Sequence, residues 1–269
     1  MTSALRTPPP ARSEPDRRSL LQGSETTGSM VLVYVFLLVP MAALIAAVPL
    51  VWGWGLHWQD LLVAGVFFVV SGLGVTVGFH RHFTHGSFRA KRGLKVALAI
   101  AGSLSAQGTP ITWVADHRRH HAFSDRAGDP HSPWLYGTGA LALMKGFWHA
   151  HMGWLFGRDI TNTARFAPDL VADRDVAKVS AQFPIWTAVT FIAPALLGGA
   201  LSWSWWGLLT GFFWAGLVRV AVLHHVTWAT NSICHMLGER PFASRDKAAN
   251  FWPLAILSFG ESWHNLHHA

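Results

Sequence analysis

Nine of the sixteen histidines in this chain fall in three short clusters. "HRHFTH" carries His80, His82 and His85; "DHRRHH" carries His117, His120 and His121; "HNLHH" carries His264, His267 and His268. The last two share the spacing i, i+3, i+4, which on a helix puts all three imidazoles on one face. "NSICH" adds Asn231 and His235 at i, i+4. Neutral imidazole is the commonest metal ligand, and an all-imidazole set suits Zn, Cu, Fe or Ni. A hydrolytic zinc site uses fewer ligands and a carboxylate base. Nine histidines are too many for one ion, so two ions are the natural count. The Glu and Glu-x-x-His ligands of soluble di-iron bundles are absent. The plain alternative is surface histidines near lipid headgroups, and the recurrence of H-x-x-H-H argues against it. Spacing alone thus supports a dinuclear, histidine-rich site and does not name its reaction.

Composition says where such a site would sit. Charged residues make up only 13% of the 269 residues, and there are fifteen tryptophans. Mean hydropathy is +0.29. This is the profile of a membrane protein, with Trp favouring bilayer interfaces. One cysteine, Cys234, excludes an internal disulfide framework and a Cys-based metal site. The net charge of +7 fits an anionic membrane surface. No nucleic-acid motif occurs, and no nucleic-acid partner is expected.

Four segments are long and apolar enough to span: 30–52, with Pro40 inside it; 61–79, running straight into His80; 183–201; and 205–223, with Arg219 near its end. Residues 94–108 are too short and too interrupted, which predicts an interfacial or buried helix. Residues 1–29 are rich in Pro, Ser and Arg and are expected to form a disordered cytosolic arm preceding a membrane domain over 30–269. Arg and Lys gather before the first span, between the second and third, and after the fourth, while the connections at 53–60 and 202–204 carry none. By the positive-inside rule, both termini and all dense histidine clusters face the cytosol.

The chain resembles the membrane fatty acyl desaturases, specifically the acyl-CoA Δ9 (stearoyl-CoA) type. "GVTVGFHRHFTH", "ADHRRHHAFSD", "GDPHSP", "HMGWL", "TWATNSICH" and "GESWHNLHH" carry the likeness, over about residues 60–269. The resemblance implies an all-α integral membrane protein of a bacterial-type cell membrane, with four transmembrane helices and a cytosolic histidine-rich di-iron cap. It implies an O2-dependent enzyme that inserts a cis double bond, Δ9 by likeness, into a fatty acyl chain. The cofactors would be two iron ions, with ligands His80, His85, His117, His120, His121, His235, His264, His267 and His268, and Asn231 acting through a water. No catalytic residue beyond these ligands is implied. His82 would not be a ligand. His80 and His85 stand five apart, about 140° on a straight helix, so the helix is expected to bend or end between them.

His131, His149 and His151 match family flanks outside the ligand set and are expected to be supporting residues. Asp116, Asp129 and Glu261 are the candidate carboxylate partners of the ligands. His57, His224 and His225 are expected to be interfacial. The likeness places Gln107, Trp113, Thr227 and Trp228 at the bend of a narrow acyl slot. The stripe Ala64, Phe68, Gly72 on the second span is the expected wall of its far end. Where relatives carry paired arginines after "DPH", this chain reads "SPWLYG", and Ala115 precedes Asp116. That leaves the acyl carrier open, CoA or another. No dinucleotide-binding glycine fingerprint and no "HPGG" occur, so a separate electron donor is implied, ferredoxin-like or cytochrome b5-like with a reductase.

The rival readings are a hydroxylase or alkane monooxygenase on the same scaffold, a non-catalytic membrane metal-binding protein, and an inactive fragment. Relatives continue past the third box, so the chain is expected to be a C-terminally truncated record of a longer protein. The alternative is that contacts around 251–261 pin the "WHNLHHA" end.

Overall fold

The computed structural model describes residues 16–51 and 55–269. Four helices are long and apolar enough to cross a membrane: Thr27–Leu50, Trp58–Thr84, Phe183–Ser202 and Trp205–His235. We refer to them as the first to fourth spans. The first starts where Thr26 caps it, its hydroxyl accepting the Ser29 N–H at 3.1 Å. Part of the expected arm carries secondary structure. A turn at Arg17–Leu20 leads into strand Leu21–Ser24, which pairs antiparallel with Asp159–Thr161. That strand partner lies far along the chain, so composition gave no sign of it. Residues 1–15 of the expected arm lie outside the described residues.

The second span opens on a capping box in which the His57 N–H donates to Asp60 at 3.0 Å. Asp60 is buried and also accepts the Thr210 hydroxyl at 3.0 Å, tying the second span to the fourth. From Gly74 to Thr84 the second span widens into a π-helix. Residues 92–103 form a helix packed on that π segment, in keeping with the expected short, non-spanning element. The fit is close: a Cβ at Gly74 would overlap the backbone of Gly102, and one at Gly102 would overlap the Phe79 ring.

The third and fourth spans form a hairpin whose backbones touch at Gly198, Gly207 and Gly211. The fourth span runs to His235, well beyond the expected end at Leu223, with a π segment at Gly211–Val218. Arg219 does not end it. Its guanidinium is buried and donates to the carbonyls of Ala215, Leu104 and Thr190. A buried charge is tolerated when its donors are used in this way. Outward-facing apolar residues such as Val31, Ile45, Leu61, Val66, Ile192 and Leu196 give the bundle a lipid-compatible surface.

Helix Pro110–Phe123 forms the floor of the cap over the spans. Its Arg118 pairs with both oxygens of Asp169, at 2.6 and 2.9 Å, and donates to the carbonyls of Phe83 and Thr84. Arg118 of "DHRRHH" thus locks the end of the second span to the cap, while Arg119 donates to the Gly128 carbonyl and the Thr161 hydroxyl, leaving the histidines for other work.

Candidate metal centre

The histidines converge on two clusters. His80, His85, His117, His121 and His267 form one, and His120, His235, His264 and His268 the other. Within each, the ligand atoms lie within 4.8 Å of one another. Each H-x-x-H-H triad is divided between the two. Helix Pro110–Phe123 sends its i, i+4 pair, His117 and His121, to the five-histidine cluster and His120 to the other. Helix His264–His268 does the reverse, giving His264 and His268 to the four-histidine cluster and His267 to the first. The triads face each other, with His121 and His267 ring centroids 4.7 Å apart and His120 and His268 at 5.3 Å.

The π segment settles how His80 and His85 meet. The His85 N–H bonds back five residues to the His80 carbonyl at 3.2 Å. The i→i+5 bond widens the turn, so residues five apart come back onto one side. The two rings sit 4.8 Å apart. The helix widens between them, with no break, and ends just after Thr84.

Carboxylates hold many of these rings. The Nδ1 atoms of His120, His235 and His268 lie 3.0, 3.0 and 2.7 Å from Asp129, Asp125 and Asp246. His80 Nδ1 lies 2.5 Å from Glu261. Of the expected partners, Asp129 and Glu261 are in place. Asp116 is not: it bonds Thr161 beside Arg119, and burial pushes its carboxyl up to about 6 against both. Asp125 and Asp246 were not legible in the sequence, since no spacing links them to a box.

An imidazole that donates Nδ1–H to a carboxylate presents Nε2 as a lone pair. His120 Nε2 and His268 Nε2 are buried without a hydrogen-bond partner, as is His264 Nδ1. His235 Nε2 and His264 Nε2 approach to 2.9 Å. His80 Nε2 and His121 Nε2 each approach His267 Nε2, at 3.0 and 2.9 Å. Converging, desolvated lone pairs of this kind fit a cation. Burial first, then the neighbouring imidazoles, holds His117, His120 and His264 well below the usual histidine range. At neutral pH these rings are therefore in the unprotonated, metal-ligating form.

The remaining histidines take other places. His82 Nδ1 turns to the Phe88 carbonyl at 3.0 Å. His131 stacks on His120 at 4.5 Å, and His149 bonds the Pro130 carbonyl. His151 lies between Ser232 and His225, 2.9 Å from each. His57 caps the second span. His224, expected at the interface, is buried against the Ser105 carbonyl at 2.9 Å. The extension of the fourth span carries it into the bundle.

A cavity of about 570 Å³ reaches His80, His117 and His264. That is within the usual range for ligand pockets. Gln107, Trp113, Thr227, Trp228 and Asn231 all line it. Gln107 donates to the Thr227 hydroxyl at 3.0 Å and accepts from the Trp113 indole at 3.4 Å. Of the stripe expected as the far wall, Gly72 lines the cavity, and Ala64 and Phe68 are not among its lining residues. Phe259, at φ 51°, lays its ring where a Cβ on Gly72 would be, and the Phe68 ring lies tilted against it, centroids 5.8 Å apart. This blocks the route along the second span. The cavity turns instead toward Leu32 and Phe36 of the first span and Ala188 and Phe191 of the third.

The "WHNLHHA" end is pinned. Asn265 is fully buried, exchanges hydrogen bonds with the Phe242 backbone, and donates its N–H to Asn250 at 2.9 Å. The Phe251 N–H also meets the Ser262 carbonyl at 2.9 Å.

The family model described as fatty acid desaturase matches residues 56–269. The chain is 38% identical over 232 residues to a hex-5-enoyl-[acyl-carrier protein] acetylenase of Moorena producens (strain JHB), covering 86% of this chain and 72% of that protein. It is 36% identical over 236 residues to an sn-1 stearoyl-lipid 9-desaturase of Anabaena variabilis, covering 87% and 79%. It is 35% identical over 219 residues to a probable acyl-CoA desaturase of Schizosaccharomyces pombe (strain 972 / ATCC 24843), covering 80% of this chain and 43% of that longer protein.

Proposed function

The chain belongs to the fatty acid desaturase family, and from that premise we propose that it is an integral-membrane, O2-dependent fatty acyl desaturase forming a cis double bond at C9–C10. The observation that carries this is the apolar cavity reaching both histidine clusters at the ends of the spans. A –CH2–CH2– unit, O2, two electrons and two protons would give –CH=CH– and two waters. Two iron ions, when bound, would supply the O2 reduction and the removal of hydrogen. His80, His85, His117, His121 and His267 would hold one ion. His120, His235, His264 and His268, with Asn231 through a water, would hold the other.

The chain's own residues position the substrate. Trp113 and the Gln107–Thr227 pair set the bend that brings one carbon pair to the clusters. Leu223, Val226 and Trp228 keep that stretch dry. Fixing one carbon pair in a dry slot is the protein's main contribution, since the bond-breaking chemistry belongs to the cofactor. The electrons come from a separate redox protein, and the cap faces the cytosol, as the distribution of Arg and Lys supports.

The test is expression in a desaturase-deficient host with fatty acid profiling. A new cis-monoene is the expected result. A hydroxylated product would replace this reading with the hydroxylase, and an unchanged profile without O2 consumption by the iron-loaded protein would replace it with metal binding alone.

A further inference from the structure

We propose that the helix Ala140–His151 is embedded in the leaflet nearest the histidine clusters without crossing it, its outward face lying among the acyl chains. Its partner is the lipid surface itself, and it anchors the cap there beside the four spans. This goes beyond the desaturase reading and stands without it.

The helix is built the wrong way round for water. Its buried residues are small, Gly146 and Ala150. Gly146 lies so close to the Pro133 carbonyl that a Cβ there would overlap it. Its large residues point out: Leu141, Met144 and Trp148 are 81%, 68% and 55% exposed. They stand at i, i+3 and i+7, one face of a helix, opposite Gly146 and Ala150. An outward apolar face of this kind marks contact with a partner or a membrane. Lys145 is the only Lys, Arg, Asp or Glu in the helix, and its ammonium sits 4.2 Å above the Tyr136 ring. A lysine beside an apolar face lays its stem along that face and keeps its charge at the polar rim.

Depth decides between partner and membrane. The end of the helix is tied to the first span. His151 lies 2.9 Å from His225, whose other ring nitrogen lies 2.8 Å from the Met41 sulfur. Val31 is the first large apolar residue that the first span turns outward, and Met41 follows it by ten residues. At ~1.5 Å per residue that is roughly 15 Å into the apolar belt, about half a hydrocarbon core. A soluble protein covering Trp148, three residues from His151, would have to enter that belt. Lipid already fills it. The turn that follows, Gly153–Phe156, meets the first span as well, with Phe156 stacked on Tyr34 at 5.4 Å. Helix and span therefore share one outward apolar surface.

That turn also gives the embedding a use. Its Trp154 and Leu155 line the main cavity. The embedded helix thus fixes one wall of the cavity relative to the leaflet.

The experiment places nitroxide labels at Leu141→Cys, Met144→Cys and Trp148→Cys, one at a time. The background is Cys234→Ala, which removes the chain's one, buried cysteine. The metal-loaded proteins are reconstituted in phosphatidylglycerol/phosphatidylcholine vesicles. Leu38→Cys, outward on the first span, is the lipid reference, and Arg126→Cys, exposed on the cap, is the water reference. Power saturation compares collisions with O2, which concentrates in acyl chains, against collisions with a water-soluble nickel chelate. Burial ~5–10 Å into the headgroup and acyl boundary excludes the chelate, so the O2-to-nickel ratio at all three positions should exceed that at Arg126 by about fivefold. A ratio equal to that at Arg126 would overturn the proposal and give the face to solvent. Few collisions with either reagent would overturn it in favour of a protein partner or a second copy of this chain. A check without substitutions uses a phospholipid with a diazirine high in its acyl chain. It should label the 140–151 peptide of the parent protein, and its absence there beside a labelled first span would overturn the proposal equally.

Discussion

The two histidine clusters draw on the same boxes but are held in place differently. In the four-histidine cluster, His120, His235 and His268 each give Nδ1 to a buried aspartate. Those aspartates are themselves tied down. Asp125 sits at φ 58°, accepts the Ser132 hydroxyl and the Lys247 N–H, and donates its own N–H to Asp129. In the five-histidine cluster, among the described residues, only His80 has a carboxylate, Glu261. His85 is the most solvent-accessible of the five, though its ring is partly covered, and a second cavity reaches His80, His85 and His267 past Arg81 and Trp263. Carboxylate partners fix the ring, set the tautomer and raise ligand basicity. The four-histidine cluster is therefore prebuilt and closed, and the five-histidine cluster is open and adjustable. Two sites of similar ligand count need not hold their ions equally.

The largest effect should come from removing a ligand of the closed cluster. His120→Ala removes a proposed ligand and leaves Asp129 with only backbone N–H partners, and is expected to abolish alkene formation and lower bound iron. His57→Ala, at the far end of the second span, should retain both. Iron per chain and product yield at matched expression check this, and equal loss in the two variants would remove the site assignment.

Next is the order of metal release. On chelator titration, the first equivalent of metal should leave the five-histidine cluster and the second should need a higher chelator concentration. Asp125→Asn should weaken the tighter site by roughly 10- to 100-fold, the usual cost of losing such a support, and merge the two steps. Glu261→Gln should advance only the first. Release of both equivalents in one step from the parent protein would break the comparison.

A smaller effect is expected from pH. Loss of water around its ring, then the neighbouring His80, push His85 down from 6.5 to about 4. Between those values the unfolded chain binds more protons than the folded one, so stability falls as pH falls. Burial alone would raise Asp125, but its bonds from His235, Ser132 and Lys247 hold it at about 2. It stays ionised in the folded chain through that window, and because the unfolded chain begins to protonate it near 4, it adds to the slope only at the acid end and with the same sign. Metal-free protein should therefore lose stability on acidification from about 6.5 to about 4, and His85→Gln should make the curve of Tm against pH shallower by one group's share, the buried His117, His120 and His264 keeping the rest of the slope. An unchanged slope in the variant would show that His85 is not among the groups responsible.

The smallest effect belongs to a residue that touches neither cluster. Phe68 lies behind Phe259 and outside the cavity, so Phe68→Ala should leave the chain-length distribution of products within about twofold of the parent. A clear shift to longer products, read by gas chromatography, would put the slot back along the second span.

What the sequence determined by itself was local. Hydropathy over some twenty residues located four spans, because crossing a bilayer is decided by a segment's own length and polarity. The i, i+3, i+4 spacing identified two helical faces able to ligate metal, because helical periodicity is set within one turn. Tertiary structure decided how those faces are shared between two clusters, and it supplied Asp125, which lies 110 residues from His235. It widened the helix at His80 into a π turn where glycines let the Arg92–Ser103 helix press close. It also turned the cavity from the second span toward the first and third, because Phe259, distant in sequence, fills the space above Gly72. Each of these depends on which distant segments share a volume, and no local period encodes that.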